Sequence, residues 1–377
     1  MRVAVLKEQR SGETRVAATP ETVKKLMALG LEVAVESGAG LASGMTDAAY
    51  AEAGATMAAD AGAALADAGI VLVVRSPEDL APIPRGALLI GILGADAEAA
   101  QRYAAAGIDA CSMELLPRIT RAQSMDILSS QANLAGYRAV VEAATSYDKG
   151  FPMMMTAAGT VPAANVFVMG AGVAGLQAIA TARRLGGRVS ATDVRPAAKE
   201  EIKSLGASYI GYEDEESRAA QTAGGYAKPM SAEFLAKQSE VVAAAIGKMD
   251  VVICTALVQG RRAPTLVTAE MVAVMKPGSV IVDLAADAGG NCALTRPGEE
   301  FVTAGGVKIL GYINWPGRIP AAASALYARN LLTFVTTFWD KDAKAPKLPE
   351  DDDIVKGVAL TRAGAVIHPN LAPAKAA

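Results

Sequence analysis

Histidine and cysteine are scarce in this sequence. It has one histidine, His368, and three cysteines, Cys111, Cys254 and Cys292, which lie far apart and show no CxxC spacing. So few soft ligands argue against a structural zinc site, and we predict no metal site. An odd number of isolated cysteines is typical of reduced, mostly buried thiols in a reducing compartment.

The chain also lacks long apolar runs and a large excess of either charge. Runs such as 70–74 and 87–93 fall far short of the roughly 20 residues of a membrane span. The net charge of −3 gives no basic face for nucleic acid and no polybasic anchor for a lipid surface. The first residues resemble a strand and a charged loop, not a signal peptide. We therefore expect a soluble, cytoplasmic protein without a nucleic-acid partner or direct membrane insertion.

Strand-like and helix-like segments alternate along the 377 residues. A chain of this length suits two domains, each with its own core. The segment 21–29 shows apolar residues at helical spacing, with Thr19 and Pro20 at its start and Gly30 at its end. Such alternation predicts parallel sheets with helices on both faces. The expected fold class is α/β, with two Rossmann-like domains, each a mostly parallel sheet, and a cleft between them.

Residues 115–144 interrupt this alternation. They begin polar and charged and continue as a long apolar helical pattern, which predicts a loop followed by a helix that crosses to a second domain. The expected domains are 1–128 completed by 320–377, and the nucleotide-binding domain 137–319. The tail from APKLPEDDD onward is rich in proline and acids. We expect it to be a loosely packed surface segment with a short strand at 358–361.

The segment NVFVMGAGVAG joins an apolar strand to a helix with the spacing GxGxxG. Gly170 permits the tight turn, Gly172 lets the backbone approach a pyrophosphate, and Gly175 lets helix and strand pack closely. The helix N-terminus offers N–H groups to phosphates. A second strand, RVSATD, ends on Asp193, at the distance where an acid accepts the adenosine-ribose hydroxyls. This pattern predicts a dinucleotide site; the alternative is a chance match in a glycine-rich chain.

Asp193 also bears on which dinucleotide is bound. A carboxylate beside the ribose repels a 2′-phosphate, which favours NAD(H) over NADP(H). Arg195, two residues later, could serve a 2′-phosphate; the alternatives are a salt bridge to Asp193 or a stack on the adenine.

Longer stretches point to a family. The runs RAQSMDILSS and FPMMMTAAGTVP are unusual, and ATDVR, TAGGYAKPM, MKPGSVIVDLA and AGGNC extend the pattern over nearly the whole chain. Together they resemble the NAD(H)-binding subunit of the proton-translocating nicotinamide nucleotide transhydrogenases. The resemblance implies direct, Si/Re-specific hydride transfer between NAD(H) on this chain and NADP(H) on a partner subunit. It also implies a membrane-spanning subunit that couples transfer to proton translocation, a homodimer, and a peripheral position on the cytoplasmic face of the inner membrane.

The resemblance carries the family's functional residues onto this sequence position by position. It implies a catalytic role, the positioning of the nicotinamide, for Arg118, Gln123 and Asp126. A lid over the nucleotide falls at Gly225 and Tyr226. The residues it assigns to cofactor binding are Arg118, Ile119, Gln123, Ser124, Met125, Asp126, Ser129, Gly170, Ala171, Gly172, Val173, Gly175, Asp193, Val194, Arg195, Gly225, Tyr226, Gln238 and Leu257.

Without the family, these residues have simpler explanations. Arg118, Gln123 and Asp126 could be ordinary polar residues between domains, and residues 224–226 a plain surface turn. A glycine pair followed by one aromatic side chain is nonetheless what a lid over an apolar ring needs.

Alanine dehydrogenase shares the resemblance and provides the main alternative. Arg15 matches its substrate-carboxylate arginine and Asp287 its catalytic aspartate. However, Arg75 and Gly94 stand where that family has a lysine and a histidine. Oxidising an amine needs a base, which neither arginine nor glycine provides, whereas transfer between two nicotinamides needs only positioning. The sequence therefore favours transhydrogenation; a protein that only senses NAD(H) is the third possibility.

Overall fold

The chain forms two compact units in the computed structural model. One unit comprises residues 1–131 and the described residues of 317–377, and the other comprises residues 132–316. The chain passes from the first to the second within the helix Ile127–Ser146. The residues that the structure describes are 1–218, 230–257 and 262–371.

Short strands and helices alternate throughout, as the sequence predicts. The strands are β1 Arg2–Val5, β2 Glu32–Glu36, β3 Thr56–Ala58, β4 Ala68–Arg75, β5 Leu88–Ile92, β6 Asp109–Ser112, β7 Met154–Thr156, β8 Gly159–Val161, β9 Asn165–Met169, β10 Arg188–Thr192, β11 Ser208–Tyr209, β12 Val251–Cys254, β13 Val280–Asp283, β14 Glu300–Val302, β15 Lys308–Leu310, β16 Trp339–Asp340, β17 Ala345–Pro346, β18 Thr361–Arg362 and β19 Ala365–Val366. The helices are α1 Pro20–Ala28, α2 Asp47–Glu52, α3 Ala61–Leu65, α4 Ala97–Ala106, α5 Ile127–Ser146, α6 Val173–Arg184, α7 Pro196–Ser204, α8 Glu215–Arg218, α9 Ala232–Ile246, α10 Ala269–Ala273, α11 Pro320–Thr337 and α12 Asp353–Val358.

A six-stranded sheet forms the centre of the first unit. Its order is β3-β2-β1-β4-β5-β6, and every neighbouring pair is parallel. Val3 and Val5 face a core layer shared with α1 and α11, while Ala4 faces the layer that holds α3 and α4. Because both faces are covered, the strands are short runs of mostly apolar residues. The α/β prediction is confirmed for this unit.

The second unit contains a seven-stranded sheet in the order β11-β10-β9-β12-β13-β15-β14. All neighbouring pairs are parallel except β14 with β15. From β9 the chain first builds outward through β10 and β11 and then continues on the other side of β9 with β12. In such sheets, ligands bind at the carboxyl ends of the strands beside the point where the order reverses. That point lies between β9 and β12.

The C-terminal tail differs from the prediction. Residues 353–358 form helix α12 instead of loose chain, and Ile354, Val358 and Leu360 are buried. The predicted strand at 358–361 is also wrong, because the extended pair is β18 and β19, on either side of a turn. Asp352 explains the helix: its carboxylate accepts the backbone N–H groups of the first turn. The acidic run thus caps a helix, although its composition predicts a solvated segment.

Strands β7 and β8 form an isolated antiparallel hairpin. Its residues are almost all exposed, and three consecutive methionines at its start, Met153, Met154 and Met155, are 58%, 43% and 80% exposed. We call residues 153–161 the Met hairpin. Exposed apolar residues in one cluster are typical of a surface that binds another protein.

Two further observations concern the composition of the described residues. No helix among them combines the length and the apolarity that a membrane crossing needs. Within the same residues, no group of histidine, cysteine and acidic side chains is arranged to hold a metal ion. Cys111, Cys254 and Cys292 are buried free thiols.

Candidate functional site

The GxGxxG segment forms a tight turn between β9 and α6. Gly170 has a φ of +100°, and a Cβ atom there would lie 2.7 Å from the hydroxyl oxygen of Thr255. At Gly175 a Cβ atom would lie 1.8 Å from the carbonyl oxygen of Gly170, so only glycine lets the helix approach the turn this closely. At Gly172, by contrast, a Cβ atom would point into open space.

The N-terminus of α6 is open at this turn. Gly172 is its N-cap residue, and no side chain caps the helix. The first N–H groups of a helix carry partial positive charge and bind anions when nothing else accepts them. Open space above Gly172 and an uncapped 12-residue helix fit a pyrophosphate, which this turn and Val173 would hold.

Asp193 lies directly beside the glycine turn. It follows β10, and its Oδ2 accepts the backbone N–H of Ala171 at 2.7 Å. Arg195 donates to the same carboxylate from its backbone N–H at 2.8 Å, and from Nε and Nη2 at 2.9 and 3.0 Å. These hydrogen bonds to Asp193 raise the pKa of Arg195. Of the alternatives for Arg195, the structure shows the salt bridge.

Gln238 connects two segments at the same edge of the sheet. From α9, its Nε2 donates to the hydroxyl of Thr192 at 2.7 Å, and its Oε1 accepts the N–H of Tyr212 at 2.7 Å. Tyr209 donates from its hydroxyl to the carbonyl of Asp193 at 3.1 Å. Both contacts fix the end of β10. Leu257, after β12, is 54% exposed.

The predicted nicotinamide-contacting residues lie in the first unit. Residues 120–125 form a 3₁₀ turn that leads into α5. Arg118, Gln123 and Ser124 are exposed, whereas Met125 and half-buried Ile119 pack into the core of this unit. Gln123 and Asp126 are three residues apart along this turn, a spacing that places two side chains on one side.

Asp126 has a structural role that the sequence analysis missed. It is the N-cap of α5: its carboxylate accepts the backbone N–H of Ser129 at 2.9 Å and the hydroxyl of Ser129 at 2.5 Å. Asn330, on α11, donates to the carbonyl of Ser124 at 2.8 Å and holds the turn. The motif D-x-x-S before an apolar run could have revealed this cap.

The assigned residues thus fall into two groups, each assembled within its own unit. One comprises the glycine turn, Asp193 and its neighbours, and the other residues 118–129. Gly225 and Tyr226 lie outside the described residues, so the lid stays a prediction.

A buried ion-pair cluster surrounds the residues that match alanine dehydrogenase. Arg15 donates to Glu13 from Nε at 2.8 Å and from Nη2 at 2.7 Å, and to the side chain of Gln131 from Nη1 at 2.9 Å. Arg75 also pairs with Glu13, at 3.3 Å. Burial favours the neutral form of Glu13, but the hydrogen bonds and charge of Arg15, aided by Arg75, lower its pKa to about 2.

Glu8 lies near this cluster and is in a different protonation regime. Burial raises its pKa to about 7, although it accepts the N–H groups of Val74 at 2.6 Å and Arg75 at 3.1 Å. The sequence analysis singled out neither Glu8 nor Glu13, because their burial depends on distant segments. At Gly94, φ is +96° and a Cβ atom would lie 2.8 Å from Ala99.

Family models match both units. Residues 4–135 match the N-terminal domain, and residues 139–369 the C-terminal domain, of the family described as alanine dehydrogenase/PNT. The chain is 53% identical over 380 aligned positions to an NAD(P) transhydrogenase alpha subunit of Rhodospirillum rubrum, an alignment that covers 98% of this chain and 99% of that protein.

A solved structure and a more distant relative extend this comparison. The structure described as transhydrogenase from Sinorhizobium meliloti aligns with a TM-score of 0.87 and 52% identity, over 97% of this chain and 100% of that one. Alanine dehydrogenase of Bacillus subtilis is 30% identical, over 86% of this chain and 82% of that protein.

Proposed function

The chain belongs to the alanine dehydrogenase/PNT family, and we propose that within it this protein is the NAD(H)-binding subunit of a proton-translocating transhydrogenase. Hydride passes between NAD(H) on this subunit and NADP(H) on a partner subunit. A membrane-spanning subunit couples the transfer to proton translocation and keeps this chain at the cytoplasmic face of the inner membrane. The identity of 53% to a transhydrogenase alpha subunit, against 30% to an alanine dehydrogenase, supports this choice.

One observation carries the NAD(H) assignment: Asp193 bonds directly to the glycine turn. Its hydrogen bond with the N–H of Ala171 places a carboxylate next to the open N-terminus of α6. Phosphates at the helix and ribose hydroxyls at the carboxylate are the two contacts that a dinucleotide needs. The nicotinamide supplies the hydride chemistry when bound, and Arg118, Gln123 and Asp126 orient it.

The residues of the alanine dehydrogenase alternative supply no general base. Arg75 is a permanent cation that pairs with Glu13. Gly94 has no side chain, and the 2.8 Å approach to Ala99 leaves no room for one without a shift. Transfer between two nicotinamides requires no such base, because its rate depends on bringing two carbons together in the correct orientation.

The test is an exchange assay with the purified NADP(H)-binding partner. NADPH and an NAD⁺ analogue with a distinct absorbance are mixed with this chain, with and without the partner. Transhydrogenation predicts reduction of the analogue only when both proteins are present. A sensor of NAD(H) gives no reduction, and reduction of NAD⁺ by alanine with this chain alone would identify a dehydrogenase instead.

Asp193→Ala should change nucleotide selectivity. Wild-type protein is expected to bind NADH well and NADPH poorly. The variant loses one or two charge-assisted hydrogen bonds to the ribose, roughly 1.5–3 kcal/mol each. It also frees Arg195 from its carboxylate partner, and the guanidinium can then meet a 2′-phosphate.

Calorimetric titration of both nucleotides measures the change. NADH binding should weaken and NADPH binding should strengthen, so that the difference narrows. Asp193→Asn, which keeps one acceptor oxygen, is the matched control and should lie between wild type and the alanine variant. Equal wild-type affinities for NADH and NADPH would refute the ribose assignment.

The Met hairpin supports a homodimer, which we include in the proposal. An isolated two-stranded hairpin is marginally stable alone, and Met155 is 80% exposed. Met155→Asp should therefore convert the dimer to monomer, because a buried charge in an apolar interface is strongly unfavourable.

Light scattering after size-exclusion chromatography measures this change. Val302→Asp places the same charge on another exposed apolar residue, 60% exposed on edge strand β14, and should leave the mass unchanged. A Met155→Asp variant that remains dimeric would place the interface elsewhere.

A further inference from the structure

Asn291 is a fully buried amide side chain with every hydrogen-bonding group in use. Its Oδ1 accepts the backbone N–H of Ala256 at 3.1 Å. Its Nδ2 donates to the carbonyl of Ala256 at 2.9 Å and to the carbonyl of Pro264 at 2.8 Å. One side chain therefore holds the backbone on both sides of residues 257–263, the segment that begins with Leu257.

A buried carboxylate fixes Asn291 in place. Asp283 is 0% exposed, and its Oδ2 accepts the N–H groups of Asn291 at 2.8 Å and Cys292 at 3.0 Å, together with the hydroxyl of Thr295 at 2.6 Å. The other oxygen accepts the N–H of Ala285 at 2.9 Å. A fully satisfied buried network of this kind is rigid.

The contacts continue from Asn291 to the glycine turn. Thr255 precedes Ala256, and its backbone N–H donates to the carbonyl of Met169 at 2.9 Å. Its hydroxyl lies 3.0 Å from the carbonyl oxygen of Gly170. Asn291 thus fixes the backbone that lies against the turn on the β12 side.

The order of the strands indicates which half of the nucleotide lies nearby. Asp193 follows β10, on one side of β9, and Ala256 follows β12, on the other side. With the pyrophosphate at the turn after β9 and the adenosine ribose at Asp193, the nicotinamide half extends toward β12.

We propose that Asn291 is a positioning residue for the nicotinamide half of the bound nucleotide. This inference rests on the proposed NAD(H) function. Asn291 acts through the backbone from Thr255 to Leu257 and does not touch the nucleotide itself. Apolar side chains could fill a buried position, but an asparagine supplies one acceptor and two donors at the spacing that Ala256 and Pro264 require.

The test compares two ligands that share all but the nicotinamide. Asn291→Ala is titrated with NADH and with ADP-ribose. NADH affinity should fall on the order of tenfold, because the hydrogen bonds that shape the segment are lost, while ADP-ribose affinity should change far less. Equal losses for the two ligands, or no loss for NADH, would overturn the proposal. Wild-type protein that binds neither ligand would refute the proposed function instead.

Two more variants separate positioning from stability. Thr295→Val removes a different hydrogen bond to Asp283 and should lower the melting temperature without changing the ratio of the two affinities. Leu257→Ala alters an exposed side chain of the held segment, so it should fold normally and weaken NADH more than ADP-ribose even if Asn291→Ala is unstable. A Leu257→Ala variant that binds both ligands as wild type does, or a Thr295→Val variant with a selective NADH loss, would contradict positioning by Asn291.

Discussion

Gln123→Asn, assayed with the NADP(H)-binding partner, should slow hydride transfer on the order of a hundredfold while NADH affinity falls by less. The reacting carbons must lie about 3–3.5 Å apart, and small displacements of the nicotinamide have effects of this size. Most of the binding free energy should come from the turn at Gly172 and from Asp193, far from the reacting carbon. Single-turnover rates at saturating nucleotide, together with NADH titration, separate the two effects.

Asp126→Asn extends this test without disturbing the fold. Asparagine caps helices as well as aspartate does, so the start of α5 should remain intact while the charge is lost. We expect the same pattern of slow transfer and nearly normal affinity. A large loss of affinity with a normal rate at saturation would instead make Gln123 and Asp126 plain binding groups.

Arg121 provides the control on the same 3₁₀ turn. It is exposed and pairs with Asp352 at 2.7 Å, and exposed ion pairs contribute little to stability. Arg121→Gln should therefore leave both the transfer rate and the NADH affinity near wild type. A strong effect of this substitution would show that the turn is sensitive to any change, and the results for its neighbours would then carry no information about the nicotinamide.

Gly136→Ala should destabilise the second unit and weaken NADH binding together. Gly136 lies in α5, and a Cβ atom there would lie 2.0 Å from the carbonyl oxygen of Ala174, in the first turn of α6. The two helices must separate to accept a methyl group, and overpacking of this kind costs about 1–3 kcal/mol. The displaced turn is the one that would hold the pyrophosphate. Thermal unfolding and NADH titration measure the two losses.

Gly62→Ala is the matched control for this substitution. Gly62 lies in α3, is exposed, and would place its Cβ atom no closer than 3.3 Å to a neighbour, the side chain of Asp60. Alanine is favoured over glycine inside a helix by roughly 1 kcal/mol, so this variant should be at least as stable as wild type. If Gly136→Ala behaved in the same way, the close approach to Ala174 would have no role in the site.

The sequence predicted those regions of the fold and the candidate site that depend on neighbouring residues. Gly170, Gly175 and Asp193 could be placed from spacing alone, because a strand, a turn and a helix within about 30 residues determine their positions. The α/β class followed from alternation in the same way. Helix α12 was missed although its signal was local, since the acids before it suggested a solvated tail.

Other residues could not be identified from spacing because their contacts are distant along the chain. Thr255 and Asn291 lie far from Gly170 in sequence, and their roles arise only when β12 and β13 are placed beside β9. Gly136 is visible as a glycine inside a helical pattern, but nothing local shows that Ala174 approaches it. Glu13 lies in a charged loop, and only tertiary packing makes it a buried partner of Arg15.

The discontinuous first unit has a consequence for synthesis of the chain. Tyr327, Leu331 and Phe334 of α11 belong to the same core layer as Val3 and Val5, yet roughly 200 residues separate α11 from the end of the unit's first segment. At 5–20 residues per second, a ribosome needs about 10–40 s to make them. The six-stranded sheet therefore waits with one apolar face uncovered while the second unit is completed. We expect the nascent N-terminal segment to require chaperone protection during this interval, and the second unit to acquire protease resistance first.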